Sequence, residues 1–291
     1  RFSAMIGHEF YNLKSYTLSG AKQNMFSIDN NELNGAVVDT QNAASYTTEY
    51  NNEGYFGRVE YEYDNRIVLN GSYRRDASSR FHPDHRWGNF WSASAAWLIN
   101  RESWFRADWV DMLKLKASVG SQGNDNIGNF RYTNTYTIEN ANGEVSTVFN
   151  AKGAEDITWE TNTNFNAGVE FSLLQGKISG GVEYFLRKTT DMLLEYPMAL
   201  STGFKNYNAN AGSMRNQGLE ATIRGTVLDK PNFRWDATVM GSFNRNKVLG
   251  LTGGQDVITS GLRVIEVGKP IYTFYLPKTA GVDPATGKQL Y

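Results

Sequence analysis

The chain has 291 residues, with 29 Lys and Arg against 30 Asp and Glu, a net charge of −1 and no cysteine. That balance gives no polybasic field for nucleic acid, and the missing cysteine excludes disulfide scaffolds, thiolate zinc sites and cysteine nucleophiles. The longest nearly apolar stretch, Ala93 to Ile99, is far below the ~20 residues of a membrane helix, which leaves strands as the only way to cross a bilayer. The chain starts at Arg1 without a Met or a signal-peptide pattern and stops at Tyr291 just after the turn-like Asp283 to Gly287. It is therefore expected to be a fragment of a longer one.

Gly, Asn and aromatic residues are abundant and period-two alternation dominates, the pattern of pleated strands punctuated by turns. A first strand is expected at Phe2 to Tyr11. In Gly54 to Tyr63 one face carries Tyr55, Gly57, Val59, Tyr61 and Tyr63, and the other Phe56, Arg58, Glu60 and Glu62. After Asp64-Asn65 the alternation restarts, with Ile67, Leu69, Gly71 and Tyr73 against Val68, Asn70, Ser72 and Arg74. The next apolar face is Trp91, Ala93, Ala95, Trp97 and Ile99. Glu102 to Leu115 holds the best helical spacing (Trp104, Phe105, Trp109, Met112, Leu113) and is expected as a helical turn between strands. Leu113, Leu115, Ala117 and Val119 then oppose Lys114, Lys116 and Ser118. Phe165, Ala167, Val169, Phe171 and Leu173 oppose Asn164, Asn166, Gly168 and Glu170. Beyond Gln175-Gly176, Ile178, Gly180, Val182, Tyr184 and Leu186 oppose Ser179, Gly181, Glu183 and Arg187. The last pair is Leu219 to Val227 and Phe233 to Phe243, with Glu220, Thr222, Arg224, Arg234, Asp236 and Thr238 on the polar face.

Short links at 64–65, 102–111, 174–176 and 229–232 alternate with long polar ones at 12–53, 76–87, 122–161, 188–215 and 246–291. An up-and-down antiparallel sheet with every long loop on one edge predicts this order, which soluble Greek-key sandwiches rarely produce. The strands run ~9–12 residues, and ten residues at ~3.3 Å rise and ~40° tilt span ~25 Å, the height of an outer-membrane apolar band. Tyr61, Tyr63, Trp97, Trp104, Phe171, Phe233 and Trp235 gather beside the short links, where an aromatic girdle belongs. The expected fold is all-β: eight or nine strands of a transmembrane barrel, with the charged face turned to the lumen.

No catalytic constellation or cofactor motif stands out. His82 and His85 in Phe81-His82-Pro83-Asp84-His85 lack a third metal ligand nearby, and Gly123-Asn124-Asp125-Asn126 lacks the spacing of a calcium loop. No cofactor and no metal are therefore expected. Glu60 and Glu62 invite a glycosidase reading, but neighbouring strands carry similar charges without any focus. Recognition chemistry is expected in the long loops, where Arg80, Phe81, His85 and Trp87, Asn124, Asp125 and Asn126, and Phe204 and Tyr207 mix rings with hydrogen-bonding groups. Such a mixture suits sugars or peptides.

Several segments resemble the SusC/RagA family of TonB-dependent outer-membrane transporters. They are Gly54 to Tyr61, Ser72 to Phe81 with Arg86 to Trp91, Leu113 to Gly120 with Gln122 to Ile127, Tyr184 to Leu193, Asn210 to Glu220 and Gly281 to Gly287. The resemblance implies that residues 1–291 are part of a barrel of roughly 22 strands that normally holds a plug. It implies import of glycans or peptides, a SusD-like surface lipoprotein as lid, and a link to TonB–ExbB–ExbD through a plug that these residues do not include. No catalytic role is implied, and the motif glycines are expected to serve bulges and bends. The rival expectation is a non-transporting β-rich surface binding or adhesion module, which would fold in plain buffer.

Overall fold

The computed structural model describes all residues except 26, 30, 31, 34–41 and 142. Wall strands alternate with small excursions: β1 (Phe2–Ala21), β2 (Asn42–Tyr63), β3 (Ile67–Ser78), β4 (Trp87–Leu98), β5 (Val110–Asn124), then the hairpin β6 (Thr135–Ala141) and β7 (Glu144–Ala151). The wall resumes with β8 (Glu160–Leu173) and β9 (Ile178–Thr190), is interrupted by the hairpin β10 (Leu193–Pro197) and β11 (Asn206–Asn210), and ends with β12 (Gly212–Lys230) and β13 (Phe233–Leu251). A small sheet of β14 (Val257–Ser260), β15 (Arg263–Glu266) and β16 (Thr273–Phe274) follows, then the hairpin β17 (Gly281–Val282) and β18 (Gln289–Leu290).

The wall is one nine-stranded sheet in the order β1-β2-β3-β4-β5-β8-β9-β12-β13, antiparallel at every pairing. Its register carries the sequence pattern across the whole sheet. Phe2, Tyr61, Leu69, Ala95, Ala117, Ala167, Tyr184, Leu219 and Phe243 lie opposite one another in a single row. One residue along, the row reads Ser3, Glu60, Asn70, Ser94, Ser118, Asn166, Phe185, Gly218 and Asn244. A slip of one residue at any pairing would turn a strand's apolar side chains onto the polar face, so the alternation fixes the register. Tight hairpins close the short-link end. Asp64 and Asn65 both take positive φ, as a two-residue turn of the twist-compatible type requires, and Arg66 N–H donates to the Tyr63 carbonyl at 2.9 Å.

Two expectations need correction. Glu102 to Leu115 is not helical: one turn of 3-10 helix covers Ile99–Arg101, and β5 already begins at Val110. Its apolar spacing joins two unrelated features, the Trp97–Trp104 edge-to-face pair at 6.3 Å and the outward face of β5. The long links are also not simple loops. Strands extend into them, so that β2 begins at Asn42 and β12 at Gly212, and the rest carries the hairpins and small sheet named above.

Packing differs between the two ends of the wall. On the apolar face the large side chains lie open, Val239 and Phe243 being 72% and 68% exposed. Among the described residues conventional cores form at the long-loop end, where they build a folded cap on the wall. One joins Phe81, Phe90, Ala154, Ile157 and Trp159, and the other joins Met192, Leu194, Ala211, Val248, Ile258 and Ile265. Gly88 and Gly123 are explained here. A Cβ on either would strike the Phe90 ring, so these motif glycines leave room for a ring where a bulge was expected.

Candidate ligand-facing surface

The loop residues singled out in the sequence separate into three groups. Arg80 and Asp125 meet at the base of the cap. Arg80 donates from Nη1 to the Asp125 carbonyl at 3.1 Å, lies 3.5 Å from its carboxylate and sits 4.5 Å over the Tyr50 ring. Asp125 Oδ2 also accepts from Tyr50 Oη at 2.8 Å and Ser78 Oγ at 2.6 Å. Tyr50 lies above the apolar band, where burial and then the Asp125 hydrogen bond hold its phenol above the ordinary range. Asn124 donates to Glu160 Oε1 at 3.1 Å, and its own Oδ1 accepts from the Asn126 N–H at 3.1 Å. These groups tie three loops together.

The aromatic candidates mostly pack. Phe81 has no exposed surface and its ring meets Trp159 at 5.4 Å, while Tyr207 rests against the same core. Phe204 packs against Phe149 of β7 with ring centroids 4.8 Å apart and planes tilted by 56°. His85 and Asn126 remain exposed, with His85 6.4 Å from the His82 ring. Trp87 is not a loop residue at all. It opens β4 on the apolar face, between Tyr55 and the Arg75 guanidinium, which lies 5.0 Å over its ring. Among the described residues no group of three or more His, Cys, Asp or Glu is placed to hold a metal ion.

A second surface follows from the alternation itself. On the polar face of β5, β8, β9, β12 and β13, Asn164, Asn166, Asn216 and Asn244 with Glu183 and Glu220 border a recess of about 490 Å³. Arg187 Nε donates to Asn164 Oδ1 at 2.7 Å, and Asn246 Nδ2 to Asn216 Oδ1 at 2.6 Å, which orients the amides. Below it Glu170 accepts from Lys114 at 3.1 Å and Lys116 at 2.9 Å, and Lys116 also reaches Glu183. Charges in such numbers would be too costly against hydrocarbon, so this face is the wet one. The recess offers amide donors and acceptors at short spacing and no acid–base pair set apart from its neighbours. Such groups can hydrogen-bond a polar chain.

A twisted antiparallel wall, apolar on one side, polar on the other, tight at one end and capped by folded loops at the other, is part of a transmembrane β-barrel. The family model for "TonB dependent receptor-like, beta-barrel" matches residues 2–281, and the chain belongs to that family of outer-membrane proteins. It is 34% identical over 222 residues to the TonB-dependent receptor SusC of Bacteroides thetaiotaomicron, covering 73% of this chain and 22% of SusC. It is 32% identical over 232 residues to TonB-dependent receptor P39 of Formosa agariphila, covering 78% of this chain and 22% of P39. The RagAB peptide transporter superposes with a TM-score of 0.86 at 27% identity, over 99% of this chain and 32% of that one. The chain thus spans about a fifth of the length of the curated relatives it matches.

Proposed function

We propose that residues 1–291 form part of the barrel wall of an outer-membrane nutrient importer that moves glycans or peptides, and that they do no bond-breaking chemistry. The observation that carries this reading is the oriented amide recess on the luminal face of a wall that superposes on a peptide transporter. Peptide amides and sugar hydroxyls both need donors and acceptors in alternation, which the four asparagines supply beside the Glu183 and Glu220 carboxylates. The remaining strands and a plug that couples to TonB–ExbB–ExbD lie in other segments of the complete protein. A SusD-like surface lipoprotein covers the capped end. In this reading His85 and Asn126 meet the cargo or the lipoprotein, Arg80, Asn124 and Asp125 hold the loops in place, and Phe81, Phe204 and Tyr207 keep the cap folded.

The test is uptake of labelled oligopeptides and oligosaccharides by cells carrying the full-length protein with Asn166→Leu and Asn244→Leu together. Uptake of one class should fall about tenfold, as two lost hydrogen bonds of ~0.5–1.5 kcal/mol each imply, with surface amounts unchanged. Undiminished uptake of both classes would remove the recess from the pathway. Folding of the chain in plain buffer, without detergent, would instead favour the soluble binding module.

A further inference from the structure

The wall carries a concentration of positive charge on the face where none is expected. Lys188 of β9 lies directly opposite Arg215 of β12, which lies directly opposite Lys247 of β13. Arg245, two residues from Lys247 and opposite Gln217, faces the same way. These positions share the side of Tyr184, Leu219 and Phe243, the apolar side, and not that of the luminal Arg187, Asn216 and Asn244. Cross-strand neighbours stand about 5 Å apart at Cα, so three cations occupy a strip about 10 Å wide. Like charges directly opposite destabilise a sheet. Among the described residues none of the four has an ion-pair partner or a side-chain hydrogen bond. The outward neighbours on β8 at this level are Thr161 and Thr163, and Glu266 of β15 is already held by Lys269 at 2.8 Å. On β3 the corresponding cation, Arg75, has the Trp87 ring for company.

Their height identifies the missing partner. On β9 the outward residues Ile178, Gly180, Val182, Tyr184 and Leu186 end at Lys188. On β13 the run from Phe233 through Trp235, Ala237, Val239 and Phe243 ends at Arg245. Ten residues at ~3.3 Å and ~40° tilt rise ~25 Å, one apolar band, so the first cations stand where hydrocarbon gives way to headgroups. That end bears the long loops, hence the outer leaflet. We propose that Lys188, Arg215, Arg245 and Lys247 form a binding site for the phosphate of an outer-leaflet lipid headgroup. The acyl chains lie along the apolar strip of Tyr184, Leu219 and Phe243 beneath it. A bound phosphate supplies the counter-charge that the row lacks and converts a repulsive strip into a lipid-dependent clamp across three strands.

The test is native mass spectrometry of the full-length protein in mixed micelles containing phosphatidylglycerol, phosphatidylcholine or inorganic phosphate. Wild type should retain phosphatidylglycerol over phosphatidylcholine, and Arg215→Gln with Lys247→Gln should cut that preference by about tenfold or more, since each cation near a lipid surface contributes ~1 kcal/mol. Raising salt to about 1 M, where the screening length is ~3 Å, should weaken wild-type retention similarly. In detergent alone the double variant should melt no lower than wild type, because repulsion has been removed. Lys188→Gln, at an exposed position, serves as a second variant if the double one does not fold. Equal retention of the two lipids by wild type, or a full preference in a folded variant, overturns the site. Displacement of phosphatidylglycerol by inorganic phosphate at matched concentration overturns the lipid assignment.

Discussion

The wall and the cap are built by one chain under opposite rules. In the wall, Val239, Phe243 and Ile223 present large apolar side chains outward, and order comes from the backbone ladders between neighbouring strands. In the cap, Phe81, Ile157 and Val248 are buried as in a water-soluble domain, and polar side chains such as Asp125 and Glu160 take hydrogen bonds from several loops at once. The lesson is that burial marks only the part of this protein that faces water. The membrane part has to be recognised by the continuity of its register.

The cap depends most on Trp159, whose ring lies 5.4 Å from those of Phe81 and Phe90 and whose Nε1 donates to the Arg86 carbonyl at 2.8 Å. Trp159→Ala should cost about 3–5 kcal/mol locally. The loop segments 79–86 and 125–159 should become protease-sensitive while heat-modifiable gel mobility is retained. Loss of that mobility would show that wall and cap fold as one unit. Neighbouring residues of β13 provide a sharper contrast. Val239→Lys, on the apolar face, should destabilise the barrel by about 2–4 kcal/mol, and Met240→Lys, on the luminal face, by less than about 1, read from urea unfolding in detergent. Glu170→Gln should cost about 0.5–1 kcal/mol, because Lys114 and Lys116 are half-exposed and solvent-screened, and the cost should shrink in high salt.

The smallest effect lies outside both regions, in the β17–β18 hairpin. Asp283 accepts from Thr286 Oγ1 at 2.6 Å and from the Ala285 N–H at 2.9 Å, and the Thr286 bond first of all holds its carboxyl below the ordinary aspartate range. A lowered folded value means that the carboxylate's contribution is present above the unfolded value and is lost as the pH falls through the lowered one. In a peptide of residues 278–291, hairpin signals in proton NMR should fade over that acidic window, and Asp283→Asn should abolish the dependence.

Legibility in the sequence followed the same division. Gly54 to Tyr63 and Phe165 to Leu173 declared themselves because lipid on one side and water on the other force period two. The same strands continue through Asn51, Asn52 and Glu53, or Thr161 to Thr163, where both faces meet polar surroundings and the alternation vanishes. Their extensions therefore look like loops in the sequence. The cap was harder to read, because Phe81 and Tyr207 have the same composition signal whether a ring binds cargo or packs against Trp159. Only the fold, which brings residues from 81 to 207 together, distinguishes the two. Trp87 is ambiguous for a related reason: it follows a loop in sequence yet begins the outward face of β4. The outward cations at Lys188 and Arg215 lay in plain view, but their opposition appears only when β9 and β12 are put in register.

One feature of the sheet bears on how such a wall can be made. Every pairing in the wall joins strands that follow one another along the chain, with only small hairpins set between them. Such an order allows growth like a zipper, each new strand copying the register of the last. A strand laid down one residue out of step would turn its apolar side chains to the wrong face and hand the error to its neighbour. Fidelity is thus decided hairpin by hairpin, at tight turns such as Asp64-Asn65, before the finished sheet has any stability to defend.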